Sequence, residues 1–540
     1  MTSRLVWLSC LAGLLAACPA APAAAPPVAA KPATAGEVRE LADQIDQHLR
    51  SSWAKAGVTP AAPAGDAEFL RRVYLDLAGR IPTVAETRAF LKDDRADRRA
   101  RVVEGLLASP RYATHFTNVF RALLIPEAGN NFQVRLGQGS FEGWLKSRLS
   151  RNAGYDRVVR EVLTAKVAAN PFPFALTDSP LTFYLAKEYK PENLAAGAAR
   201  VFLGVSVECA QCHNHPFAEW KREQFWGFAA FFAGMKSNRQ NDFLIAETED
   251  LTKRELSLPG SAKVVRARFL DGGEPKWAKG ESARSTLADW VVSPANPYFA
   301  RATVNRLWAY FFGAGLVEPL DEMVGGHGKN YHPELLDLLA REFVRRNFDL
   351  KFLFRTLTAT RAYQLTSAGK GPHEPWQFAR MPLRGLTAEQ LFDSVSAATG
   401  FRDSGGGDDL LSGLVGGARS ARSEFLTRFA PSDRPTESQT SILQALTLMN
   451  GKVTAAATTL AHSETLAAVA DAPFATLGDR VEALYLATLS RKPSAKELGR
   501  ATRFVQTAVR GGKHRRAATA DALADVFWAL LNSPEFAVNH

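Results

Sequence analysis

Cysteine is nearly missing from this chain. Its 540 residues hold four, and two of them, Cys10 and Cys18, fall within the first eighteen positions. Only Cys209 and Cys212 remain for about 500 folded residues, which excludes a general disulfide framework, so those two must be explained by each other. The leading apolar run, Leu5 to Ala17, has thirteen residues, and a bilayer span takes about 20. No fixed-period repeat is visible. Acidic residues are in deficit: 55 Asp and Glu against 66 Lys and Arg leave a formal charge of +11.

What is present begins with an export signal. "MTSRLVWLSCLAGLLAAC" has a basic start at Arg4 and then the short apolar run. Its end, Leu15-Ala16-Ala17-Cys18, resembles a bacterial lipobox, which predicts a signal peptide over 1–18 and lipidation at Cys18. The alternative is an ordinary secretory signal cut further on. A lipid on Cys18 would hold the chain at a membrane without a spanning helix. "PAAPAAAPPVAAKPATAG" (Pro19 to Gly36) is almost all Ala and Pro, which favours an extended tether over 19–36. Pro19 is not the acidic residue associated with inner-membrane retention. The expected location is therefore the cell envelope, at an outer membrane facing the periplasm or the cell surface. A basic exported protein can meet anionic headgroups or acidic polysaccharide, and no nucleic acid is expected there. The simpler reading of the charge is a solvated helical surface, as in "DDRADRRARVVEG" (Asp93 to Gly105).

The folded part reads as mainly α. "TVAE" (Thr83 to Glu86), "TAEQ" (Thr387 to Gln390) and "SAKE" (Ser494 to Glu497) are capping-box signatures. Apolar residues recur at helical spacing in Phe69-Leu70-Val73-Leu75-Leu77, Leu335-Leu338-Leu339-Phe343 and Leu523-Val526-Phe527-Leu530. A small β excursion is expected near 243–270, where "FLIAETED" and "KVVRARFL" flank a turn. Two helical domains are expected, 37–272 and 273–540, with a boundary near Gly272 to Glu281.

The chemistry concentrates in "VECAQCHNHPF" (Val207 to Phe217). Cys209-Ala210-Gln211-Cys212-His213 has the C-x-x-C-H spacing of c-type haem attachment. Cysteines three apart on one turn present both sulfurs to one porphyrin, and His213 can offer an imidazole to the iron. Such attachment follows export, so leader and motif agree. Rivals stand beside it. A zinc or other transition-metal site could combine the cysteines with His213 and His215. A redox dithiol would want a thioredoxin-like βαβ context, which this helical neighbourhood lacks. A structural disulfide would close a small ring. Met235, ending "WGFAAFFAGM", is a candidate distal haem ligand, with core packing as the alternative. His115 is a weaker candidate, more often a helix-face residue.

These stretches resemble a known pair of families. "FLRRVYLDLAGRIPTVAETRAFL" (Phe69 to Leu91) and "ARVFLGVSVECAQCHNHPFAEWKREQFWGFAAFFAG" (Ala199 to Gly234) are similar to the planctomycete-type cytochrome-like family 1549 of unknown function. "NPYFARATVNRLWAYFFGAGLVEP" (Asn296 to Pro319), "HPELLDLLAREFV" (His332 to Val344), "LTAEQLFDSV" (Leu386 to Val395) and "LLNSPEF" (Leu530 to Phe536) are similar to its partner, family 1553. The resemblance implies a cytochrome-like first domain and fusion or gene proximity to other cytochrome-like modules. It implies no particular activity.

A second constellation lies further on. Arg301, Asn305 and Trp308 share a helical face, and His332 and Glu334 follow a Gly-rich loop holding His327, with Asp321 and Glu322 close by. They form a possible ligand face for a small molecule or polysaccharide; the structural alternative is a helix start at His332-Pro333-Glu334. Three functions remain open: a lipid-anchored c-type haem protein in electron transfer or haem redox chemistry, with a cytochrome or other redox partner; a cell-surface hydrolase or binding protein with a Cys/His metal site; and a scaffold lipoprotein.

Overall fold

The computed structural model describes residues 33–166, 178–214, 218–240, 243–324, 328–369, 373–401, 421–429, 452–510 and 515–540. They form one compact unit from Ala33 to His540. The fold is mainly α with small two-stranded sheets, as the sequence pattern predicts. The first helices are α1 (Ala35–Ala56), α2 (Asp66–Ala78), α3 (Val84–Lys92), α4 (Arg98–Ala108), α5 (Pro110–Leu124), α6 (Phe132–Ser150) and α7 (Tyr155–Leu163). Next come α8 (Thr182–Ala186), α9 (Pro191–Ala198), α10 (Arg222–Ala229), α11 (Ala283–Val291), α12 (Phe299–Phe312), α13 (Pro333–Arg345), α14 (Leu350–Ala359) and α15 (Ala388–Thr399). The last described helices are α16 (Ala421–Phe429), α17 (Lys452–Ala457), α18 (Glu464–Asp471), α19 (Leu477–Leu489), α20 (Ala495–Arg510) and α21 (Arg515–Leu531).

The capping signatures do what their chemistry requires. Thr83 and Glu86 exchange side-chain and backbone hydrogen bonds at the start of α3. Thr387 and Gln390 do so at α15, and Ser494 and Glu497 at α20. Thr34 and Glu37 form a further box that starts α1 two residues before Glu37. Each box satisfies amide N–H groups that the first turn leaves unpaired.

The β excursion is present and starts earlier than its strand signals. Strand β1 (Met235–Gln240) pairs antiparallel with β2 (Phe243–Glu249), and β3 (Glu255–Ser257) with β4 (Val264–Arg266). The helical aromatic run ends at Gly234, where an added Cβ would lie 2.3 Å from the Asp250 carbonyl oxygen. Only glycine allows that backbone approach. Two shorter pairs follow: β5 (Val317–Glu318) with β6 (Lys329–Asn330), and β7 (Arg384–Gly385) with β8 (Val538–Asn539).

Two hydrophobic cores result. One runs from Leu41 to Met381 and includes residues on both sides of Gly272. The other runs from Leu386 to Phe536 and also takes in Leu75 and Ile81. Helix α2 therefore serves both, and residues 69–78 of it are all buried. Its charged residues must then find partners inside. Arg71 donates to the carbonyl oxygens of Thr488 and Phe536, and Arg72 to those of Tyr363 and Leu365. The Asp76 carboxylate accepts from Arg384, the Tyr363 hydroxyl and the Asn539 amide.

Candidate functional site: the cysteine turn

Helix α9 starts with Pro191 at its first turn and runs into a π turn, Ala199–Leu203. Gly204 ends it in the left-handed region at φ +65°. A Cβ there would sit 2.8 Å from Met323 Sδ and 3.0 Å from Ala302 Cβ, so helix α12 and the 321–323 segment press directly on this backbone. The chain is then pinned. Val205 bridges Glu322, the Ser206 amide donates to the Asp321 carbonyl at 2.7 Å, and the Met323 amide donates to the Gly204 carbonyl. Arg306 of α12 adds donations to the Arg200 carbonyl and the Asp321 carboxylate.

From this anchor the chain enters a single 3-10 turn, Glu208–Gln211, with Cys212 at its C-cap in the right-handed helical region. A 3-10 helix has three residues per turn, so residues three apart eclipse one another. Cys209 lies within this turn and Cys212 closes it, three residues on. Both are exposed and neither is in a disulfide. Ala210 between them is fully buried and roots the turn. Gln211 turns its carbonyl toward α10, where it accepts from Trp226 Nε1 at 3.0 Å and from Arg222 Nε at 3.3 Å. Arg222 also donates from its amide to Asn214 Oδ1 and from its guanidinium to the Pro259 carbonyl.

His213 follows, exposed. Its Nδ1 lies 2.7 Å from the Asn214 carbonyl oxygen. A carbonyl can only accept, so in the neutral ring Nδ1 carries the proton and Nε2 keeps its lone pair. Metal-ligating histidines are commonly oriented by such a bond from the other ring nitrogen. The turn thus offers two exposed thiols outside any disulfide and one imidazole nitrogen with its lone pair available. That donor set fits a c-type haem.

The remaining candidates are distributed as follows. Met235 is buried at the start of β1, opposite Glu249. Cys18, His215 and His327 lie outside the described residues. His115 is buried, with Nε2 2.6 Å from the Tyr310 hydroxyl, and burial pushes its pKa down to about 4. Arg301 pairs with Asp337 at 2.8 Å. Asn305 is fully buried and clamps Val317, accepting from its amide and donating to its carbonyl. Trp308 is fully buried and stacks on Phe312. His332 caps α13, and its Nε2 donates to the Trp376 carbonyl, with its pKa lowered by burial. Arg301, Asn305 and Trp308 are engaged by Asp337, Val317 and Phe312, and His332 by the Trp376 carbonyl. Among the described residues no three His, Cys, Asp or Glu side chains gather as a metal-binding group.

Comparison with known families settles the lineage. Residues 44–237 match the model described as protein of unknown function (DUF1549), PSCyt2, and residues 283–412 match protein of unknown function (DUF1553), PSD1. The chain belongs to these paired families. No curated protein and no solved structure matches it. The cysteine turn falls inside the first matched region, and the Asp321 segment that pins it falls inside the second.

The supporting residues were not singled out from the sequence. Arg222 and Trp226 stand four apart on α10, hence on one face, and both reach the Gln211 carbonyl. That spacing was the available signal. The pairing of Ser206 with Asp321 had none, because the two are far apart in the chain.

Proposed function

We propose that the chain is an exported, lipid-anchored c-type haem protein that handles electrons at the cell envelope. One observation carries the reading: Cys209 and Cys212 are exposed, outside any disulfide and three residues apart at one turn, beside a histidine whose Nδ1 is already committed. Cys209 and Cys212 would hold the haem and His213 Nε2 would ligate it; when bound, the haem supplies a one-electron redox couple. The chain's own residues set up that reception. The Asn214 carbonyl fixes the tautomer and orientation of His213. Arg222 and Trp226 hold the turn against α10, and Asp321 holds its approach. The leader, the lipobox at Cys18 and the Pro/Ala tether support an envelope location. Among the described residues no helix is long and apolar enough to cross a membrane.

The test is a pyridine haemochrome spectrum of the full chain, made with its own leader in a host with c-type maturation. A double Cys209→Ser, Cys212→Ser variant is run alongside. The expected result is a c-type α-band in the wild type and none in the variant. Absence of covalent haem from the wild type would overturn the proposal. Metal analysis and a thiol count on that sample would then address Cys209, Cys212, His213 and His215 as a zinc or other metal set.

A further inference from the structure

The acid deficit of the chain has a place in the fold. Helix α20 carries Lys496, Arg500, Arg503 and Arg510 against one carboxylate, Glu497. Glu497 is already engaged: it accepts from the Arg491 guanidinium and from the amide and hydroxyl of Ser494 at the helix start. The four cations stand at i, i+4, i+7 and i+14. At 3.6 residues per turn that puts them on one face about 80° wide and about 21 Å long. All four are exposed. Among the described residues none of them makes an ion pair or a side-chain hydrogen bond, and the nearby acids of α21, Asp521 and Asp525, are likewise in no ion pair. Elsewhere exposed arginines do find carboxylates: Arg95 pairs with Asp93, and Arg98 and Arg99 of α4 both reach Asp66. The other side of α20 buries Ala501 and Val505 in the second core, so packing holds the cationic face outward.

An independent observation lies in the same part of the fold. Phe474, in the loop between α18 and α19, is 97% exposed, more than any other large apolar side chain among the described residues. Its loop is held on both sides. Arg480 donates to the carbonyls of Ala470 and Ala472, each at 2.9 Å, and the capping box of Thr476 and Asp479 starts α19. The loop is therefore fixed and still presents a phenyl ring to water. Arg516 pairs with Asp471 at 2.6 Å, which ties the end of α18 to the first turn of α21. Helix α20 ends at Arg510 and α21 begins at Arg515, so Phe474 lies toward the Arg510 end of the cationic face.

We propose that this part of the molecule docks on an anionic lipid surface, with Lys496, Arg500, Arg503 and Arg510 over the headgroups and Phe474 inserted at the boundary with the acyl chains. The cations alone would fit any polyanion. The exposed ring favours lipid, because a hydrated polysaccharide offers no apolar phase for it and the headgroup–acyl boundary does. Each Lys or Arg near an anionic bilayer strengthens binding about fivefold, and salt screens the attraction. The envelope location proposed above supplies the membrane, but the contact itself needs neither the lipid at Cys18 nor haem.

The experiment is co-sedimentation of the chain from Ala33 to His540, a compact unit that holds both cores, with lipid vesicles. One set contains equal parts of phosphatidylglycerol and phosphatidylcholine, the other phosphatidylcholine alone. Binding to the anionic set is expected to be at least tenfold tighter than to the neutral set, and to be lost in about 0.5 M salt. The double variant Arg500→Gln, Arg503→Gln is expected to bind at least fivefold more weakly, and Phe474→Ser at least threefold more weakly. The altered side chains are all exposed, so both variants are expected to keep the wild-type urea midpoint. If the arginine variant does not fold, Phe474→Ser decides: weakened binding supports the contact and full retention overturns it. No binding to anionic vesicles at millimolar lipid, equal binding to neutral ones, or wild-type binding by either folded variant would overturn the proposal. A soluble polyuronate bound as tightly as the anionic vesicles would overturn it in favour of a polysaccharide. None of these results depends on whether the cysteine turn carries haem or Cys18 carries lipid.

Discussion

At the scale of single residues, the charges that matter most are those that went inside. Asp76 is 1% exposed and receives Arg384, Tyr363 and Asn539, groups drawn from three distant parts of the chain. Removing one partner of a buried ion pair leaves the other uncompensated, which costs roughly 3–5 kcal/mol. Asp76→Asn should therefore lower the unfolding free energy by about that much, measured by urea denaturation. The double variant with Arg384→Gln should recover part of the loss; no recovery would mean that the pairing is not the source of the effect. The sequence showed the arginines only as scattered charge. For Arg71 and Arg72 that reading misses their burial, because a carbonyl acceptor hundreds of residues away leaves no local pattern. The C-x-x-C-H turn was legible because its chemistry is local, with all five residues on or beside one turn.

At the scale of elements, starts and stops were legible and facing directions were not. The capping boxes at Thr83, Thr387 and Ser494 were readable because each uses a side chain three residues from its backbone partner. Arg301, Asn305 and Trp308 do share a helix, yet periodicity does not say whether a polar face meets solvent or a neighbouring loop. Asn305 and Trp308 meet the interior, which only the packing of α12 decides. Strand β1 was missed because the aromatic run before it continues a helical pattern up to Gly234. The element that delivers the cysteine turn gives a direct test. Gly204→Ala would force an alanine to φ +65° and press its Cβ on Met323 and Ala302. Such strain and overpacking cost about 1–3 kcal/mol each. A loss of at least 1 kcal/mol is expected by chemical denaturation, with partial rescue by Met323→Ala. A variant as stable as the wild type would show that the π turn and its glycine do not constrain the approach to Cys209.

At the scale of the whole molecule, helix α2 contributes to two cores, so protonation beside it bears on their junction. His115 lies beside it: a Cβ on Gly79, the residue that ends α2, would sit 2.4 Å from His115 Nδ1. The Tyr310 hydroxyl donates to the Asp76 carbonyl, so His115 Nε2–H donates to the Tyr310 oxygen. Burial holds its pKa at about 4, against about 6.5 in an unfolded chain. Between those values the unfolded chain binds a proton that the folded one refuses. Stability must then fall as pH drops from about 6.5 to about 4, by up to about 3 kcal/mol, and this contribution levels off below. Burial lowers His332 and His540 as well, which adds in the same direction. Urea midpoints of the wild type should decline over this range, and those of His115→Gln should decline less steeply. Equal slopes in the two proteins would mean that His115 does not carry the acid sensitivity, and that the junction of the two cores is not where protonation opens the fold.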